Sequence, residues 1–251
     1  MNVYEGSVLT VNAQDEVFRY LVEDRGRIVF VGDELPPAYA GQPVISLGTR
    51  ALAPSFVDTH EHFASFATFN AGLNVMDARS NREIMQMASD FAKRSKAKIL
   101  IAFGASPYSV AEGRLLSREE LDAACPGKPF MMGKYDGHAC VVNSKLLELV
   151  DDTVRDLRGY HPDTGEMNQE AFFAVSDFIT ASLSIPELIS NMLHAMDYLA
   201  SKGIGMVHTV SGIGFAGDLD ITLEKIVGRG AQHGFQMRVF QQSLDVTVAT
   251  S

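Results

Sequence analysis

The sequence predicts an α/β protein, and three observations carry that prediction. The first fifty residues alternate short β-type runs with turn residues. From Ser80 onward, amphipathic segments with capping residues at their starts alternate with apolar runs of strand length. At 251 residues and 46% hydrophobic content, the chain can bury one large core or two smaller ones, and nothing marks it as disordered.

In the opening segment, Val8 to Val11, Val17 to Val22, Arg27 to Val31 and Val44 to Leu47 are the strand-like runs. Asn12-Ala13-Gln14-Asp15, Asp24-Arg25-Gly26 and Gly32-Asp33 separate them as turns, which is the pattern of a meander. Pro36-Pro37 and Gly41-Gln42-Pro43 break the path before the last run. Strands this few and short need an apolar face covered by something else.

The stretch from Ala53 to Phe63 comes next. Pro54 rules out a helix through it, and Phe56-Val57 is an apolar run of the sort that fills a parallel strand buried on both faces. His60 and His62 follow at a spacing of two. On an extended backbone both imidazoles project to one side and Glu61 to the other, so the pair can grip a metal ion. The local pattern suits equally two histidines at a strand end satisfied by hydrogen bonds. Phe63, Phe66 and Phe69 make the following segment apolar, as expected of residues lining or covering a site.

Ser80-Asn81-Arg82-Glu83 reads as a capping box, with Ser80 accepting from the first turn and Glu83 reaching back. Ile84, Met87, Ala88, Phe91 and Ala92 continue at helical spacing to a helix end near Lys96. Ile99 to Phe103 reads as a buried strand, Ser117 opens a short helix stopped by Pro126-Gly127, and Lys128 to Gly133 returns to strand. Asp136-Gly137-His138 is a tight turn, and Asn143-Ser144 suits the cap of a helix through Val150. Asp163-Thr164-Gly165 is a turn, and Glu170 falls in the first turn of a helix.

Ser184-Ile185-Pro186-Glu187 repeats the cap, and Leu188, Met192, Met196 and Leu199 carry one face to Lys202-Gly203. Gly205 to Thr209 is a strand with His208 near its end, either facing the barrel mouth or, the favoured reading, packed or hydrogen-bonded. Gly212 to Gly217 lacks Gly-Lys-[Ser/Thr], which argues against a phosphate loop. Asp218 to Gly234 suits a helix with His233 against its C-terminal dipole, and Met237 to Gln241 is the last strand.

A net charge of −10 and a pI near 5.1 argue against a nucleic-acid partner, since phosphates would be repelled. No run of about 18 apolar residues and no basic start with an apolar h-region appears, so a cytoplasmic protein with no membrane association is expected. Cys125 and Cys140 lack zinc-ligand spacing and read as ordinary thiols.

The order of Gly6 to Val11, Val22 to Gly32, Val44 to Gly48 and then Pro54 to His62 resembles the opening of the amidohydrolase superfamily. Tyr135 to Lys145 and Gly165 to Ala171 are similar to its branch of N-acyl and N-formyl amide hydrolases. The resemblance implies a partial (β/α)8 TIM-like barrel of the metal-dependent hydrolase type, with a small β-domain and, in this branch, an inserted α/β cap. The expected division is 1–53 for the β-domain, 54–65 for the first barrel strand and metal motif, 66–183 for the cap, and 184–251 for further barrel units. With the Ile99 and Phe130 strands in the cap, three barrel strands are expected; with them in the barrel, about five of eight.

The resemblance further implies that His60 and His62 hold a divalent metal, zinc foremost, that polarises a scissile amide carbonyl and acidifies a water. Glu170 becomes a candidate for the metal or substrate, and His138 and Asn143 become candidate substrate-binding residues. The family's later ligands, two histidines and a proton-shuttling aspartate, have no counterpart in these 251 residues, so the catalytic residue stays unassigned. The expected function is hydrolysis of a non-peptide carbon–nitrogen bond in a small-molecule amide by a truncated chain. A homo-oligomer or a missing C-terminal half would cover the open barrel edge. A non-catalytic fragment needing a partner chain, and a cyclic amidase or deaminase, are the alternatives.

Overall fold

The computed structural model describes residues 1–212, 215, 218–230 and 234–242. Three sheets organise them. The first is built from β1 (Asn2–Leu9), β2 (Val17–Asp24), β3 (Arg27–Gly32) and β4 (Val44–Leu52), in the order β3-β2-β1-β4. The meander expected of the opening segment is present as β1-β2-β3, and β4 joins it parallel to β1. β1 begins well before Val8 because Gly6, at φ +148°, lets the strand bulge and continue. A Cβ there would sit 2.7 Å from that of Leu47. Val8, Leu21 and Leu47 form a small core on one face.

After β5 (Phe56–Glu61) and α1 (Phe63–Asn70) the chain enters a second sheet. Its elements are β6 (Leu73–Asn74), α2 (Asn81–Arg94), β7 (Leu100–Ala105), α3 (Arg118–Ala124), β8 (Phe130–Lys134), β9 (Ala139–Val142), α4 (Ser144–Val154), β10 (Tyr160–His161), β11 (Glu166–Asn168) and α5 (Gln169–Ala181). The strand order is β10-β11-β9-β8-β7-β6. Alternation along β7 and β8 sends side chains to two cores. Leu100, Ala102, Phe130 and Met132 pack with Ile84 of α2 and Leu121 of α3, while Ile101 and Met131 pack with Leu146 of α4 and Val175 of α5. Each such large side chain is worth about 1.5–3 kcal/mol when buried.

The third sheet is parallel, in the order β13-β12-β5, with β12 at Ile204–Ser211 and β13 at Gln236–Gln241. The helices α1, α6 (Ile185–Ser201) and α7 (Leu219–Arg229) cover one face, through Phe63, Leu188, Met192, Leu223 and Val227 packed on Val207. The strands at Ile99 and Phe130 belong to the six-stranded sheet. Among the described residues there is no closed barrel.

Four expectations change. Among the described residues the strand through Phe56-Val57 is an edge strand, hydrogen-bonded only to β12, and these two residues are 73% and 45% exposed. Phe63 to Phe69 is a helix: Phe63 is wholly buried against α6, Phe66 tilts against Tyr198 and Phe69 stacks on Phe103, so the segment ties two cores together rather than lining a site. Glu83 reaches back past Ser80 to the amide of Arg79 at 2.8 Å, although Ser80 does cap Glu83 as expected. α7 ends at Arg229 on Gly230. His233 and most of Gly212 to Gly217 lie outside the described residues.

Among the described residues no single helix is long and apolar enough to cross a membrane. The pair α5 and α6, bent by 108°, buries its apolar faces in two separate cores.

Candidate functional site

Because β5, β12 and β13 are parallel, their carboxyl ends share one edge, and that is where His60, Glu61 and His62 emerge. The register slips just before them: Asp58 faces Val207 and Glu61 faces Thr209, so three steps on β5 match two on β12. With this extra residue Glu61 is half-buried opposite Thr209, while His60 and His62 are both exposed. Burial, and secondly the nearby Asp58 charge, push the Glu61 carboxyl above its ordinary range, against a bond from the His62 backbone.

The imidazoles of His60 and His62 stand edge to face, with ring centroids 5.5 Å apart. Two imidazoles bound through nitrogen to one tetrahedral ion, at roughly 2 Å each, have centroids about 5 Å apart. The observed centroid separation is close to that value. His62 Nδ1 lies 2.8 Å from the Val210 carbonyl oxygen of β12. A carbonyl can only accept, so Nδ1 carries the proton and Nε2 keeps its lone pair for a ligand. The His60 amide donates to Asp58 Oδ1 at 3.0 Å, which steadies the strand end. Among the described residues no cluster of three or more His, Cys, Asp or Glu side chains converges to hold an ion. The two histidines fit as two donors of a larger set.

Sequence reasoning missed what stands behind them. Glu224 of α7 is wholly buried. Its Oε1 accepts from the Ala64 amide at 3.1 Å and from Thr209 Oγ1 at 3.0 Å, and its Oε2 accepts from Ser211 Oγ at 2.5 Å. Burial raises its carboxyl pKa, and the Ser211 and Thr209 hydroxyls pull the other way. One turn earlier, buried Asp220 accepts from the Gly212 amide at 2.7 Å and from Ile221 at 2.9 Å. Two carboxylates spaced i, i+4 among Ile221, Leu223 and Val227 break the binary pattern of an amphipathic helix, and that break was the available signal.

The other candidates disperse. Asn143 is a correction: it is wholly buried, its Oδ1 accepts from Phe130 and Leu146 amides at 2.9 and 3.0 Å, and its Nδ2 donates to the carbonyls of Cys125 and Lys128. All four of its hydrogen-bonding positions are used, so none is left for a substrate. His138 is exposed in the turn between β8 and β9, its amide donating to Asp136 Oδ1, and Asp136 is paired with Lys134 at 2.9 Å. Glu170 sits on the exposed first turn of α5 and pairs with Arg158 at 2.8 Å. His208 lies on the face of β12 away from the helices, against Phe240 at 5.4 Å.

Residues 43–242 match the amidohydrolase family Amidohydro_3. The chain is 27% identical over 239 residues to the exoenzymes regulatory protein AepA of Pectobacterium carotovorum subsp. carotovorum, covering 87% of this chain and 49% of that protein. It is 26% identical over 154 residues to the N-substituted formamide deformylase of Arthrobacter pascens, covering 59% of this chain and 28% of that enzyme. Crystal structures of metal-dependent hydrolases from Pyrococcus horikoshii and Pyrococcus furiosus superpose on 96% of this chain with TM-scores of 0.66 and 0.67 at 20% and 19% identity. This chain covers 48% and 50% of those two structures, so it spans about half the length, or less, of each of these relatives.

Proposed function

Since the chain belongs to the amidohydrolase family, we propose that it is part of a metal-dependent hydrolase that cleaves a non-peptide carbon–nitrogen bond in a small amide. The observation that carries the reading is the pair of imidazoles, 5.5 Å apart at the carboxyl end of β5. In this reading β5, β12 and β13 are a segment of a (β/α)8 barrel, residues 66–183 form its cap, and His60 and His62 hold a divalent ion such as zinc. The ion supplies Lewis acidity toward a carbonyl oxygen and a water.

The chain's own residues prepare the grip. Val210 fixes the His62 proton on Nδ1, Asp58 steadies the His60 backbone, and α1 begins directly after His62, so the ring is carried by a rigid helix start. The likeness to an N-substituted formamide deformylase supports an acyl or formyl amide as the substrate, with water adding across the carbon–nitrogen bond to release a carboxylate and an amine.

A second reading, a non-catalytic chain that acts only with a partner, is favoured by the lack of a third converging ligand among the described residues. Metal analysis of the purified protein, with His60→Ala and His62→Ala as controls, tests the grip. A stoichiometric ion lost in both variants supports it, and metal content unchanged by both overturns it. Release of formate or acetate from N-substituted amides by the metal-loaded protein separates the hydrolase from the partner-dependent chain.

A further inference from the structure

Glu224 bonds on both sides of the one carbonyl that orients His62. Thr209 and Ser211 flank Val210 on β12, and both hydroxyls donate to the Glu224 carboxylate. The same carboxylate accepts from Ala64, in the first turn of α1, the helix for which His62 is the N-cap residue. One buried group thus fixes the distance between the backbone that carries His62 and the backbone that accepts from its Nδ1. We propose that Glu224 is the positioning residue of the His60–His62 grip, setting the orientation and tautomer of His62 from behind the sheet.

Alternative roles for this carboxylate fit less well. It touches no solvent, and each of its oxygens already accepts from a donor on α1 or β12, behind the sheet edge where the histidines emerge. Leu223 and Val227 on the same helix already pack α7 into the core, so the placement of the Glu224 bonds, on the residues either side of Val210 and on α1, is what packing alone does not call for. Two bonds on either side of the Val210 carbonyl and a third to the helix that begins at His62 are what a device for holding that ring requires.

The inference rests on the metal reading above, and its test separates the two. Glu224→Leu keeps the volume apolar and removes every bond, while Glu224→Gln keeps an acceptor for Ala64 and Thr209. Two quantities are read on the full chain: the imidazole nitrogen shifts of His62 by NMR without metal, and the affinity for cobalt(II) alone by absorbance.

In Glu224→Leu, His62 is expected to lose its single Nδ1–H tautomer, and cobalt affinity to fall about 10–100-fold, the range for losing an outer partner of a metal histidine. Glu224→Gln should recover most of both. A folded Glu224→Leu with the wild-type tautomer and cobalt affinity overturns the proposal. If that variant does not fold, Ser211→Ala takes its place: a shifted tautomer equilibrium supports the brace, and an unchanged one overturns it. If the wild type binds no cobalt, the metal reading fails, and the His62 shifts alone still decide the role of Glu224.

Discussion

The Phe63 amide donates to the Thr209 hydroxyl across 3.2 Å, while the Phe63 ring is wholly buried against α6, so the residue after the histidine pair is fixed to β12 by its backbone and to the helical layer by its side chain. Phe63→Ala should cost about 3–5 kcal/mol, the range for emptying a buried phenylalanine site. Urea denaturation reads the loss. Phe63→Leu, which keeps most of the volume, should cost less than half as much, and equal midpoints for the two variants would contradict the packing described.

Asn143 supplies a contrasting case. Asn143→Ala removes the cap of α4 and strands buried partners on β8 and the preceding loop, at a cost of roughly 3 kcal/mol. Metal content per folded chain should not change, because no part of its side chain reaches the histidines. A variant of wild-type stability would refute the structural role.

Ser117 and Ser184 each form a complete capping box with the glutamate three residues later. Ser117→Ala and Ser184→Ala should each lower stability by about 1 kcal/mol. The two boxes sit on helices of different cores, so the double variant should show the sum of the single effects in the same denaturation experiment.

Tyr160 donates to the Asp151 carboxylate, and burial first, then that bond, push its phenol up to about 12. The folded value stands above the unfolded one, near 10. Its contribution to stability is therefore whole below about pH 10 and declines as pH rises through the folded value. Ultraviolet titration of phenolate should show one late-ionising tyrosine that disappears in Tyr160→Phe. A spectrum without that late step would remove the assignment.

Much of this fold was legible because it is written locally. Ser80, Ser117, Asn143 and Ser184 each begin a helix, as their spacing to later residues indicates. The closeness of the His60 and His62 rings was legible from their spacing of two, although the slip in β5 and the start of α1 at His62 were not. α1 was not, because Phe63-Ala64-Ser65-Phe66-Ala67-Thr68-Phe69 has no charged face to reveal a helical period, and it is buried toward two cores at once. The exposure of Phe56 and Val57 depends on what lies beside and above β5, and no local pattern encodes a neighbour. Glu224 acquires its role only from partners on β12 and α1, and Asn143 loses its expected one to carbonyls across a loop.

His62 and Val210 stand 148 positions apart in the chain, with the whole six-stranded sheet between them. Closing so long a loop is entropically unfavourable until the intervening residues have condensed, and pairings of that sequence separation form slowly. The six-stranded layer, whose neighbours are mostly near in sequence, is therefore expected to assemble first and to bring β5 and β12 within reach. The bond that orients His62 is then expected among the last to form, so in refolding its Nδ1–H signal should recover after helical structure does.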